Sequence, residues 1–134
     1  MSVEINTVLL QSKINKNKMA NLINKETLFE TYSDYGNEFI IDIIDIFLNE
    51  YEEKINFIDE GIKTNDAEKV HFWSHKLKGS IKAFFAPEPA EIAYTIEKLS
   101  TAGIFEGVED LFIKLKEECV MFIAELNELK DELK

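Results

Sequence analysis

The chain has 134 residues, 46% of them hydrophobic and 31% charged, which suits one folded domain able to bury about two-thirds of its unfolded surface. A net charge of −11 argues against nucleic acid or an anionic membrane as partner, and all 15 basic residues are lysine, so no guanidinium fork for phosphate exists. One cysteine, Cys119, excludes an internal disulfide and fits a reducing compartment. No apolar run approaches a membrane span and no signal pattern opens the chain, so the cytoplasm is the expected location.

Residues 1–21 are read as a partly mobile N-terminal extension, in which Val3, Ile5, Val8, Leu9 and Leu10 could pack on the domain and 13–18 forms a solvated linker. The domain proper is expected over 22–134. Asn24 is placed to cap a short helix that runs to about Tyr35 and is stopped by Gly36. A long helix starting at Glu38 or Phe39 carries Ile40, Ile44, Phe47, Tyr51, Ile55, Ile58 and Ile62 on one stripe, broadened by Ile43, Ile46 and Phe57. Gly61 weakens its end. Thr64-Asn65-Asp66 makes a turn in which either Asn65 or Asp66 can cap the next helix, Asn65 having capping-box spacing to Glu68.

The third helix, about Ala67 to Phe85, is the informative one. Val70, Trp73, Leu77, Ile81 and Phe84 fall on its apolar side, whereas His71, His75, Lys78, Gly79 and Lys82 fall opposite, spaced as neighbours on a helix surface. A histidine there meets solvent or a partner, and Gly79, one turn on, costs about 1 kcal/mol relative to alanine in mid-helix. From Lys69 to Pro87 there are four lysines and no acid, although 26 acids in the chain would on an even spread place three or four there. Pro87 and Pro89 enforce a break and suit the first turn of a fourth helix, with Ile92, Ile96 and Leu99 on its inner face and an end near Gly103. After a turn over Ile104–Gly107, the last helix carries Val108, Phe112, Leu115, Cys119, Phe122, Leu126, Leu129 and Leu133 at alternating steps of four and three. Short connections between long helices predict an all-α fold, an up-and-down antiparallel four-helix bundle with a short additional N-terminal helix.

His75-Lys76-Leu77-Lys78-Gly79-Ser80 resembles the His-x-Leu-Lys-Gly-Ser signature of histidine-containing phosphotransfer (HPt) domains. Asp66 stands where these domains often carry an acid, and Pro89-Ala90-Glu91-Ile92 through Ile96-Glu97-Lys98-Leu99 resembles their next helix. Two positions depart from the pattern: Ile81, where a small residue is frequent, and Phe85, where glycine is usual.

The resemblance implies that His75 accepts a phosphoryl group from a receiver-domain phosphoaspartate and passes it to another receiver. An imidazole with a reference pKa of about 6.5 keeps a neutral nitrogen nucleophile at cellular pH. Lys78 would offset the phosphoryl charge. Gly79, Lys82, His71, Phe72 and Lys76 would belong to the docking surface, Lys76 and Lys82 being otherwise solvated charges and Phe72 equally able to support the fold. Ser80, read as projecting inward, would at most orient. No nucleotide site or ATP-dependent kinase activity is expected, and the chain would be a phosphocarrier and a monomer. Mg²⁺ would come with the receiver, because no acidic cluster is apparent beside His75. Two other readings compete: a binding-only relative that docks receivers without transfer, and a metal-binding bundle using Glu68, His71 and His75 at i, i+3, i+7. Cys119, on the seam of the last helix, reads as a buried hydrophobe. Phe85, on a flank, is expected to be mostly buried rather than to serve docking.

Overall fold

Local chemistry sets each helix boundary. In the computed structural model, which describes residues 21–134, Asn24 accepts a hydrogen bond from the Thr27 N–H at 3.1 Å and so starts α1, Lys25–Thr31. Gly36, at φ 85°, turns the chain into α2, Asn37–Lys63. Asp66 caps α3, Ala67–Lys82, by accepting from the Lys69 N–H at 3.1 Å. Pro87 opens α4, Pro87–Thr101, and Gly107 precedes α5, Val108–Leu133. No strand occurs among the described residues. The extension with Val3, Ile5, Val8, Leu9 and Leu10 lies outside them.

Helix α3 packs on α2 and α4, and α5 closes the ring against the same two helices, which is the expected four-helix bundle. Its centre holds Phe47, Phe84 and Phe122, from α2, the turn after α3 and α5, with ring centroids 5.1–6.0 Å apart and edges turned to faces. Each such side chain contributes about 1.5–3 kcal/mol by leaving water. The predicted stripes of α2 and α5 are the buried ones, from Ile40 to Ile58 and from Val108 to Leu129.

Several expectations are corrected. Helix α1 stops at Thr31, and 32–35 form turns leading to Gly36, the Tyr35 N–H donating to the Tyr32 carbonyl at 3.0 Å in place of a helical bond. Ile46 is 54% exposed and does not broaden the α2 core, whereas Phe57 stacks on Trp73 at 4.6 Å. Gly61 does more than weaken a helix end: a Cβ there would meet Val70 Cγ2 at 2.7 Å and the Val70 backbone N at 3.1 Å, so it lets α2 and α3 approach. Asn65 does not cap; it takes the left-handed conformation at φ 52° that swings Asp66 into the capping position. On α4 the buried face is Pro89, Ala90, Ala93, Ile96, Glu97 and Ser100, with Ile92 and Leu99 on its flanks. Ala90, Ala93 and Ser100 on this face let α3 and α4 pack close together.

The end of α3 shows why glycine would be natural at Phe85. The helix finishes at Lys82, and residues 83–85 form a turn in which Phe85 has φ 56°. The backbone there is left-handed, the conformation glycine adopts without cost, yet a phenylalanine holds it. The Asn24 N–H donates to the Phe85 carbonyl at 2.8 Å, and the Tyr32 hydroxyl donates to the Ala83 carbonyl at 2.8 Å, so the α1 segment fastens the turn. The Phe85 ring is half-buried, 6.3 Å from Tyr32. At its other end that segment buries Leu22 and Ile23, whose N–H groups donate to the Glu125 carboxylate at 2.7 and 3.1 Å.

Candidate functional site

With Val70, Leu77 and Ile81 buried, the helical period turns His75 outward, and its side chain is 61% exposed. Close packing of α4 brings one group beside it that the local sequence of α3 does not contain. Glu97 Oε2 lies 2.9 Å from His75 Nδ1, its side chain only 10% exposed. A carboxylate only accepts, so Nδ1 carries the proton, and in the neutral imidazole Nε2 keeps its lone pair, directed to solvent. A nitrogen nucleophile with a fixed tautomer and an open approach results.

Lys78 Nζ lies 2.9 Å from Glu97 Oε1, with its side chain 17% exposed. That approach is too oblique for an aligned hydrogen bond, so Oε1 is held mainly by charge. The ammonium also sits 4.8 Å above the Tyr94 ring, which Lys98 approaches at 4.6 Å. Lys78 is therefore a tethered cation, unlike the solvent-facing one its wheel position suggested. Burial pulls the Glu97 carboxyl upward, but the contacts and charges of Lys78 and His75 outweigh it and hold the group below the usual carboxylate range.

His71, one turn before His75, places Nδ1 2.7 Å from Thr101 Oγ1. That hydroxyl donates its single proton to the Glu97 carbonyl at 3.0 Å, so His71 Nδ1–H is the donor to it. The two imidazoles lie with centroids 6.2 Å apart and planes 18° from parallel, both turning Nδ1 to α4 and Nε2 away. No group of three His, Cys, Asp or Glu side chains that could hold an ion occurs among the described residues, Glu68 with His71 and His75 included.

The other predicted positions separate. Gly79 is exposed and a Cβ there would meet nothing within 4 Å, so nothing in the described residues needs the glycine. Phe72 is 49% exposed, edge-on to Trp73 at 5.0 Å, with Lys76 Nζ 5.4 Å from its ring. Lys82 is exposed between a cavity of about 450 Å³ shared with Lys78, Pro87 and Tyr94 and one of about 290 Å³ shared with Asn24 and Phe85. Ser80 does not project into the core. It is half-buried, accepting from Lys54 Nζ at 2.8 Å and donating to the Lys76 carbonyl at 3.2 Å, which ties α3 to α2. Phe85, half-buried, lies between the two expectations. Burial pushes the Cys119 thiol up to about 12, which excludes a nucleophilic role.

Glu97, Thr101, Tyr94 and Lys54 were not legible as site residues. For Glu97 a signal existed: a lone acid among Ala90, Ala93, Ile96 and Ser100 on the inner face of α4 needs a partner.

No helix among the described residues is long and apolar enough to cross a membrane. Searches of the curated proteins and of the solved structures give no match. The family model described as the Hpt domain matches residues 42–134, a span that contains α3, α4, α5 and most of α2. An exposed imidazole held by a carboxylate across two packed helices of such a bundle accords with that match: the chain belongs to the Hpt domain family and has a histidine phosphotransfer role in a phosphorelay.

Proposed function

We propose that His75 is the phosphoryl acceptor and that the donor is a receiver-domain phosphoaspartate. The observation that carries this is the hydrogen bond from His75 Nδ1–H to Glu97, which leaves Nε2 as the free nucleophile. The Nε2 lone pair attacks phosphorus in line, the N–P bond forms, and the aspartyl C–O–P bond breaks at phosphorus with its electron pair returning to the aspartate. The product imidazole keeps its Nδ1 proton and gains positive charge, which Glu97 stabilises across the 2.9 Å contact. Transfer to a second receiver is the same step reversed.

Lys78 fixes Glu97 and lends its charge to the site from that tether. Gly79 leaves the surface beyond His75 clear for the receiver's loops, and Phe72, Lys76, His71 and Lys82 surround it. Ser80 orients α3 through Lys54. Phosphoryl transfer is largely positioning and charge stabilisation, and the Mg²⁺ it uses comes with the receiver, since Glu97 is already engaged by His75 and Lys78. The carrier works as a cytoplasmic monomer and does not phosphorylate itself from ATP.

The test incubates the chain with a panel of phosphorylated receiver domains. An acid-labile, base-stable adduct that is absent from His75→Gln is the expected result. Docking without any adduct would favour the binding-only alternative, and label persisting on His75→Gln would move the acceptor elsewhere.

A further inference from the structure

Lys78 stands where a free cation was expected, yet its ammonium is held by Glu97 at 2.9 Å and by the Tyr94 ring at 4.8 Å, on the Nδ1 side of His75. Lys76 rests over Phe72 at 5.4 Å. Neither is poised at the edge of His75 where a phosphoryl group would sit. His71 is. Its ring runs nearly parallel to that of His75 at 6.2 Å, and Thr101 fixes its Nδ1–H toward α4, so its Nε2 faces the same solvent as the His75 nucleophile.

Resting on the assignment of His75 as acceptor, we propose that His71 is a positioning residue of the phosphorylated state, its imidazolium holding the phosphoryl oxygens on His75 Nε2 directly or through one water. A dianionic phosphoryl favours a proton on the imidazole beside it. The charged groups around His71 are Asp66, Glu68 and Lys69 on its own helix, with Lys69 paired to Glu60 of α2; from α4 the nearest is Glu97, already engaged by His75 and Lys78. No other cation is free to take this place among these groups. A cation hydrogen-bonded to the phosphoryl oxygens stabilises the phosphohistidine relative to the free imidazole and covers the face that in-line attack by water would need. His71 would therefore lengthen the life of the adduct and pull the transfer equilibrium toward His75.

The test phosphorylates the whole chain with phosphoramidate, removes the reagent, and follows the adduct by ³¹P NMR on either side of neutrality. His71→Ala should shorten its lifetime about three- to tenfold on the acid side and change the pH dependence of its ³¹P shift, leaving only the titration of the phosphohistidine itself. His71→Lys, a permanent cation, should restore the lifetime and make it flat with pH. A lifetime and shift in His71→Ala equal to those of the parent would overturn the proposal. So would a shortened lifetime that lysine fails to restore, because that would reflect only the lost tie to Thr101. Label on His75→Gln would instead refute the acceptor assignment itself, so the two failures are distinguishable.

Discussion

Glu97 is the residue on which the site chemistry turns, and two substitutions separate its roles. Glu97→Gln keeps an oxygen that can accept from His75 Nδ1–H but removes the charge that, with His75 as the proposed acceptor, would balance the phosphorylated imidazole. Transfer should slow about 10–100-fold, as when a partner orienting a reactive imidazole is lost, measured as the single-turnover rate from a phosphorylated receiver. Lys78→Ala should do more to stability than an exposed lysine would. It leaves a nearly buried carboxylate with His75 alone, at a cost of about 1–3 kcal/mol seen as a Tm drop of several degrees. A Tm within two degrees of the parent would mean that the tether carries no stabilisation. The depressed Glu97 pKa fixes the sign with pH: its stabilisation is present above the unfolded value of about 4.3 and is lost as pH falls through the lower folded value. His75, Lys78 and Gly79 were legible because they share one helix face. Glu97 was not, since it lies 22 residues further on and meets His75 only through the packing of α4 on α3.

At the scale of the element, apolar periodicity was enough to place the long helices, because burial dominates their energetics; their ends were harder, because caps depend on single backbone angles. Asn65 and Phe85 are the two non-glycine residues at positive φ among the described residues; asparagine tolerates that conformation and phenylalanine does not, and neither turn can be read from the apolar pattern. Gly61 and Gly79 make the contrast testable. Gly61→Ala must push Val70 backbone and side chain away and should destabilise the domain by about 1–3 kcal/mol in chemical denaturation. Gly79→Leu meets open space, so stability should hold or rise by up to about 1 kcal/mol, while affinity for a receiver falls by steric exclusion. Docking unimpaired in Gly79→Leu would remove the reason given for that glycine. For Phe85, glycine in its place would relieve a left-handed conformation worth about 1–2 kcal/mol but forfeit the half-buried ring. Phe85→Ala keeps the strain and loses the ring, so Phe85→Gly should be the more stable of the two variants.

Across the whole molecule, the matched family region begins at residue 42, so α1 and the residues just before it lie outside it, yet they join two distant parts of the bundle. Glu125, on α5, accepts from the Leu22 and Ile23 N–H groups, while Asn24 and Tyr32 hold the turn after α3. Sequence separations of about a hundred residues hide such a clamp from any local pattern, and a glutamate within the α5 stripe was its only trace. Burial is the largest influence on the Glu125 carboxyl and raises it; the two N–H donors and Lys25 oppose this without cancelling it. For an acid raised in the folded state, the protonated form is the one folding favours, so its contribution is fully present below the unfolded pKa and diminishes as pH rises through the folded one. The stability of the parent relative to Glu125→Gln should therefore be greatest in acid and shrink toward neutrality, the reverse of the trend for Glu97. Glu125→Ala leaves two buried N–H groups without an acceptor and should cost about 1–3 kcal/mol at the least, with faster hydrogen exchange at the Leu22 and Ile23 amides. Because the clamp touches neither His75 nor Glu97, the folded fraction of Glu125→Ala should still accept phosphoryl on His75. Unchanged exchange at those two amides would show that the α1 segment is held without Glu125.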